Sequence, residues 1–133
     1  MSAIKFPEYL RRIQNSLNEV VAAGQALTVQ LQADQRSTTQ GFLSGILFFA
    51  DSTELHFREY IDLSAREPRQ MYAYHYQDAS AQLIFRYDNA AHRPPLPARE
   101  HKHTPDNIIM ILPPTLEQVI DEILNDQEYS AAS

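Results

Sequence analysis

Apolar residues near the start of the chain recur at the spacing of one helix face. In the stretch FPEYLRRIQNSLNEVVAAG they are Leu10, Ile13, Leu17, Val20 and Val21. Residues three and four apart share one side of an α-helix, so this spacing predicts an amphipathic helix. Pro7 suits its first turn, and Gly24 suits its end. The pattern predicts a helix over about residues 7–22.

Further along, apolar and polar residues alternate, which is typical of strands with one buried face. Turn-forming stretches such as RSTTQG, ADST and SAREPRQ separate the alternating segments. The predicted strands are LTVQL, FLSGILFF, ELHFREYIDL, MYAYHYQ and AQLIFRYD. FLSGILFF has apolar residues on both faces, which predicts that both faces are covered. Strands joined in sequence by short turns predict an antiparallel meander.

Proline residues mark the stretch after the last of these strands. They are Pro94, Pro95, Pro97 and Pro105. Proline lacks the amide hydrogen that a helix or a central strand needs, so residues 89–107 are predicted to form a loop. The apolar run IIMIL beyond it is a possible sixth, short strand.

A capping box predicts where a C-terminal helix begins. Thr115 and Gln118 have the spacing at which each side chain can bond the backbone amide of the other residue. Apolar residues at helical spacing follow them, at Leu116, Val119, Ile120, Ile123 and Leu124. The tail, residues 127–133, is expected to fray.

The predicted fold class is therefore α+β. It comprises an N-terminal helix, a five-stranded (possibly six-stranded) antiparallel meander sheet, a Pro-rich loop and a C-terminal helix, with helices against one or both faces of the sheet. A length of 133 residues fits a single domain over residues 1–133.

Composition narrows the function classes. The chain has no cysteine, which excludes disulfides, thiolate metal sites and cysteine nucleophiles. It has no signal peptide and no stretch near the roughly 18 apolar residues of a membrane span, so we expect a cytoplasmic protein without a membrane partner. A net charge of −6 argues against binding nucleic acid through the whole surface. Between Arg66 and Lys102, however, six basic residues face four acidic ones, which permits a local anion site.

The segments MYAYHYQ and AQLIFRYD are predicted to form a hairpin closed at Asp78-Ala79-Ser80-Ala81 by a loop of two or four residues. Either loop pairs Gln77 with Gln82, and therefore His75 with Ile84.

This register separates the hairpin by polarity. One face carries the aromatic set Tyr72, Tyr74, Tyr76, Phe85 and Tyr87, together with Leu83. The other face carries His75, Gln77, Arg86 and Asp88. A three-residue loop would put His75 and Arg86 on opposite faces. A solvated sheet face is the plain alternative explanation of this polarity, and His56 and Arg58 on the preceding strand are interpreted as surface residues.

The HKH stretch adds His101 and His103, which point the same way in an extended segment. With His75, they favour acid–base phosphate chemistry. One histidine takes the 2′-hydroxyl proton of RNA and a second protonates the leaving oxygen. Arg86 and Lys102 would stabilise the charge that develops on phosphorus, and Asp88 would orient a histidine or Arg86.

Two alternatives stay open. In one, His75, His101 and His103, together with Asp88, hold zinc, iron or manganese. In the other, the sheet face is a non-catalytic protein-interaction module. Glu59 is a separate oddity, because it falls on the apolar face of its strand, opposite Ser44 in the expected register, where a carboxylate requires a partner.

The stretches LHFREYIDL, YAYHYQDASAQLIFRYDNAAH, HKH and PPTLEQVIDEI resemble the TumE toxins of prokaryotic toxin–antitoxin pairs, over roughly residues 47–125. The resemblance implies a ribonuclease-type toxin neutralised by an antitoxin encoded beside it. On matching positions it implies the site residues Glu59, His75, Tyr76, Arg86, Asp88, His92, His101 and His103. Arg93 stands where the family pattern has a second histidine, which puts the activity of this member in doubt.

Together these points predict the toxin of a type II pair, a possible metal-independent endoribonuclease without a cofactor. His75, Arg86, Asp88, His101 and His103 are the expected catalytic residues. Glu59, Tyr76, His92 and Lys102 are the expected substrate-binding residues. The expected partners are a cognate antitoxin protein, RNA as substrate and possibly a second copy of the chain.

Overall fold

A computed structural model describes residues 4–90 and 100–132, with side chains described up to residue 126. The elements are α1 (Phe6–Ala22), β1 (Thr28–Gln35), β2 (Gln40–Phe48), β3 (Glu54–Asp62), β4 (Arg69–Gln77), β5 (Leu83–Asp88), β6 (His101–His103), β7 (Ile108–Met110) and α2 (Leu116–Ala132). The α+β class and both terminal helices are confirmed. The predicted start and end of the N-terminal helix agree with α1 to within one residue.

The strands form one seven-stranded antiparallel sheet in the order β1-β2-β3-β4-β5-β6-β7. The meander is confirmed, but the predicted count of five or six strands is wrong. The missed strand is HKH. It was predicted to lie in a loop, but it forms β6 and pairs with β5. Three polar residues give no apolar alternation, and the strand is defined by its backbone ladder alone. The possible strand in IIMIL is confirmed as β7.

Both helices pack on the same face of the sheet. The apolar residues Ile13 and Leu17 of α1 and Val119 and Ile120 of α2 belong to one buried cluster. The sheet residues of that cluster include Leu47, Leu55, Tyr74, Tyr76, Phe85 and Tyr87. Burial of these side chains is the main favourable contribution to folding. We call this side of the sheet the helix face.

The opposite side, here called the open face, carries no helix in the described part of the chain. The prediction that both faces of β2 are covered is therefore wrong. Leu43 and Leu47 are buried on the helix face, whereas Phe42 is 40% exposed and Ile46 is partly exposed on the open face. Phe42 instead contacts the ring of Tyr60 on β3, with centroids 4.6 Å apart. Continuous apolar sequence did not distinguish a covered face from a partly exposed one.

The two edge strands differ in character. β1 pairs only with β2 in the described structure, and its outer side chains include Gln30, Gln32 and Asp34. β7 forms the other edge, and Ile108 and Ile109 there are nearly half exposed.

The C-terminal helix begins with the predicted capping box. The amide of Gln118 donates to Oγ1 of Thr115 at 3.1 Å, and the amide of Thr115 donates to Oε1 of Gln118 at 2.9 Å. The helix continues to Ala132, into the stretch that was expected to fray. Neither helix is long and apolar enough to cross a membrane, as far as the described residues show.

Candidate functional site

Two rows of polar side chains cross the open face at right angles to the strands. In the first row His56, His75, Arg86 and His103 stand directly opposite one another on β3, β4, β5 and β6. Side chains opposite each other on antiparallel strands share a face and lie within contact range. Four strands thus bring three imidazoles and a guanidinium into one line.

The second row lies two residues along each strand. It runs from Ser44 through Arg58, Ala73 and Asp88 to His101. Asp88 is therefore a neighbour of both Arg86 and His101, and Arg58 lies beside His56. Since Ala73 has only a methyl group, the second row leaves space at its centre.

The shared face of His75 and Arg86 is confirmed, but the predicted register is wrong by two residues. His75 pairs with Arg86 itself and not with Ile84. The loop is longer than expected, because the Asp78 amide donates to the carbonyl of Gln82, and the register shifts again between Tyr76 and Gln77. A shift of two residues preserves the face, since side chains alternate with a period of two.

Burial and the neighbours of His75 lower the pKa of its imidazole. Nη1 of Arg86 lies 3.4 Å from Nδ1 of His75. Burial, the charge of Arg86 and the charge of His56 all lower the pKa of His75 below its usual 6.5. His56 has a different environment, because its Nε2 lies 2.9 Å from Oε1 of Glu54. The first row thus has one histidine beside a guanidinium and a neighbouring one beside a carboxylate.

Asp88 connects the two rows. Its Oδ2 accepts a hydrogen bond of 2.7 Å from Nε of Arg86, and its Oδ1 lies 3.2 Å from Nε2 of His101. Nε2 of His103 lies 3.6 Å from Oδ2. Asp88 and His101 are buried, whereas His103 is partly exposed. The carboxylate therefore fixes Arg86 in the plane of the row and contacts both histidines of β6.

A groove of about 510 Å³ lies along the part of these rows that β2 to β5 contribute, as far as Arg86, and Asp88, His101 and His103 are not among its lining residues. Its polar lining residues are Gln30, Gln32, Ser44, His56, Arg58, His75 and Arg86. This volume is within the usual range for small-ligand sites. Arg58 and Arg86 make it locally positive on a chain whose net charge is −6, so the groove is suited to an anion.

Three of the predicted site residues lie on the other side of the sheet from this groove. Lys102 lies on the helix face, because adjacent residues of a strand point to opposite sides. Its Nζ binds Oε1 of Glu122 at 3.0 Å, on the opposite side of the sheet from Arg86, with which it was expected to stabilise one phosphate. Tyr76 is also on the helix face, and its hydroxyl donates to Oγ1 of Thr53 at 2.8 Å.

Glu59 is the third, and it is buried on the helix face as predicted, although its strand partner is Leu43 and not Ser44. The hydroxyls of Tyr9 and Tyr74 each donate to its carboxylate. Nη1 of Arg69 donates to the Tyr74 hydroxyl at 2.7 Å. The required partners are therefore two tyrosines that join α1 to the sheet. His92, also predicted for the site, and Arg93 lie outside the described residues.

The sequence analysis missed two residues of the groove, His56 and Arg58. Both had been interpreted as surface residues. The alternation in ELHFREYIDL places them on the polar face of β3. Pairing β3 with β4 in the right register would have placed His56 next to His75.

A model of the family described as "Toxin TumE" matches residues 11–130, nearly the whole chain. The chain belongs to the TumE toxin family. Comparison with curated proteins and with solved structures gave no significant match. In this TumE-family protein the matched range includes every residue of the two rows. The resemblance that was based on the hairpin and HKH motifs is confirmed.

The contact between Arg86 and His75 predicts a measurable pKa change in this TumE-family protein. Replacing Arg86 by Gln removes a positive charge beside the imidazole, so we expect the pKa of His75 to rise toward 6.5. NMR titration of the His75 ring protons would measure it. Arg36→Gln, a surface variant near the β1–β2 turn, should leave the titration unchanged. An unchanged His75 titration in Arg86→Gln would contradict the contact.

Proposed function

We propose that this toxin acts as a metal-independent endoribonuclease, with the groove on the open face as its RNA-binding site. The observation that carries the proposal is the row in which Arg86 stands between His75 and His103. Neighbouring strands are about 4.8 Å apart. The two histidines thus flank Arg86 at a separation of about 10 Å, which leaves room for a phosphate over the guanidinium.

His75 is suited to be the general base. Its lowered pKa favours the unprotonated imidazole. When Nη1 of Arg86 turns from Nδ1 to the substrate phosphate, that nitrogen can take the proton of a ribose 2′-hydroxyl. The 2′-oxygen then attacks the adjacent phosphorus, and the bond from phosphorus to the 5′-oxygen breaks. The products are a 2′,3′-cyclic phosphate and a 5′-hydroxyl.

His103 is suited to be the general acid on the other side of the phosphate. Asp88 lies 3.6 Å from its Nε2 and pairs with the imidazole when it carries a proton. With Nε2 directed at Asp88, the proton on the other ring nitrogen, Nδ1, is the one that passes to the departing 5′-oxygen. Asp88, which contacts both His101 and Arg86, fixes the position of Arg86 in the first row. In this assignment the carboxylate orients Arg86 and does not itself touch the substrate.

Arg86 and Arg58 supply the positive charge. A guanidinium with fixed orientation stabilises the negative charge that builds up on the phosphate oxygens in the transition state. Arg86 is already fixed by its 2.7 Å bond to Asp88, so little reorganisation is needed when the substrate binds. Arg58 is exposed in the second row, between Ser44 and Ala73, and can contact the next phosphate along the RNA strand.

Membership of a toxin family supports a protein partner that neutralises the toxin. We propose that this partner is an antitoxin encoded beside the toxin and that the pair acts in the cytoplasm, where RNA is available. Co-expression of the adjacent reading frame should restore growth. Its product should co-purify with the toxin.

RNA cleavage by the purified full-length protein tests the proposal. Short RNA oligonucleotides should be cut in the presence of EDTA, and the products should carry 2′,3′-cyclic phosphate and 5′-hydroxyl ends. DNA of the same sequence should stay intact, since it lacks the attacking 2′-hydroxyl. Absence of cleavage would favour a non-catalytic binding role, and loss of cleavage in EDTA would contradict the metal-independent mechanism.

A further inference from the structure

We propose that Asp88, His101 and His103 form a binding site for a divalent transition metal, with zinc as the reference ion. The three residues each offer one ligand atom, and these atoms all lie within 4.8 Å of one another. The inference about metal binding stands apart from the proposed nuclease activity. Only its effect on cleavage, described below, rests on that activity.

The distances fit a metal polyhedron. Nε2 of His101 lies 3.2 Å from Oδ1 of Asp88, and Nε2 of His103 lies 3.6 Å from Oδ2. Four ligand atoms at about 2.1 Å from a tetrahedral zinc ion lie about 3.4 Å from one another. Small rotations of the three side chains would therefore place one ion within reach of all of them.

The backbone supports this arrangement. His101 pairs directly with Asp88 across β5 and β6, and His103 follows two residues later on the same face. Positions on paired strands are among the most rigid in a sheet, so the site needs no large rearrangement to bind an ion. His75, which the sequence analysis included among possible ligands, lies beyond Arg86 and is not part of this group.

The chemistry of the donors also indicates the class of metal. Two imidazoles and one carboxylate suit zinc, iron(II) or manganese(II) and leave positions open for water or an anion. Asp88 and His101 are buried, and His103 is partly exposed. The open position would thus lie on the side of His103. Arg86 beside the carboxylate adds positive charge, so an anion is favoured as the remaining ligand.

Metal binding and proton donation both need the imidazole of His103, because only a ring that carries a proton on Nε2 as well as on Nδ1 is an effective acid. A metal ion replaces the proton on Nε2, so zinc should inhibit RNA cleavage. The site would then act as a metal-sensitive control of the toxin.

Zinc titration of the metal-free full-length protein, followed by calorimetry and by the visible spectrum of a cobalt(II) substitute, tests the site. We expect one equivalent to bind. His103→Ala should weaken binding by about 100-fold, since even outer partners of metal ligands contribute 10- to 100-fold. His101→Ala should do the same, but this residue is fully buried, and circular dichroism must show that the variant is folded.

His56→Ala is the matched control, because it removes a histidine from the same face but from a different part of the row. It should bind zinc as the wild type does. Wild-type affinity in His103→Ala, or an equal loss in His56→Ala, would overturn the site. Tight zinc binding without inhibition of cleavage would keep the site and overturn the role of His103 as acid. Cleavage that requires zinc would instead overturn the metal-independent mechanism.

Discussion

Arg86→Ala is expected to lower RNA cleavage by about 100- to 1,000-fold, the usual cost of losing one fixed donor to transition-state charge. Arg86 is the only residue in contact with both His75 and Asp88 among the described hydrogen bonds. Its removal takes away the positive charge between the two acid–base histidines. Growth inhibition by the expressed toxin should disappear with the cleavage.

Two measurements make this result specific. Arg36→Ala removes an exposed arginine that is paired with Asp34 and lies outside the groove, so its activity should equal that of the wild type. Thermal unfolding of Arg86→Ala should show a cooperative transition, since the guanidinium lies at a partly exposed position. Toxicity that survives in a folded Arg86→Ala protein would exclude the proposed mechanism.

Glu59→Ala is expected to lower the free energy of unfolding by about 3 kcal/mol, because it leaves the hydroxyls of Tyr9 and Tyr74 without their acceptor in a buried place. Glu59 is 1% exposed, so water cannot replace the lost carboxylate without entering the core. Urea unfolding followed by circular dichroism would measure the change. Glu19→Ala, an exposed glutamate on α1, is the control and should change stability little. A loss below about 1 kcal/mol would mean that the network contributes little.

The same carboxylate gives a pH dependence with a defined sign. Burial raises the pKa of Glu59 above its usual 4.5, against the opposing effects of Tyr74, Tyr9 and Arg69. At a pH between 4.5, the usual pKa that applies in the unfolded chain, and the raised pKa of the folded state, the folded protein keeps a proton on Glu59 that the unfolded chain has lost. The contribution of Glu59 to stability therefore falls as the pH rises above 4.5. Glu59→Gln cannot titrate and should lack this part of the slope. Urea unfolding at several pH values would compare the two proteins.

Local patterns in the sequence were sufficient to predict where the helices lie and which hairpin residues share the polar face. The capping box at Thr115 fixed the start of α2, and helical spacing found α1. The separation of His75 and Arg86 from the tyrosines placed both on one face, because period-two alternation survives a register error of two residues. The exact partner of His75 was not predictable, since it depends on a longer loop and a bulge that leave no clear mark in the sequence.

The remaining errors arise from long-range pairing. HKH is a strand because its backbone pairs with that of β5. Three polar residues have no apolar alternation from which this pairing could be predicted. The contact between Asp88 and His101 follows from the same pairing. Lys102 was grouped with its sequence neighbours, although alternation within a strand places it on the helix face. His56 and Arg58 lie in the groove because of the register of β3 with β4. The sequence of either strand taken alone does not specify that register.

The unequal edges of the sheet limit how this protein can self-associate. An unpaired strand edge with exposed isoleucines, such as β7, is a template for another strand. On its open face β1 carries the polar residues Gln30, Gln32 and Asp34. Among the described residues β7 is therefore the edge more suited to pairing with another strand, and we expect a second copy to associate there before it associates at β1.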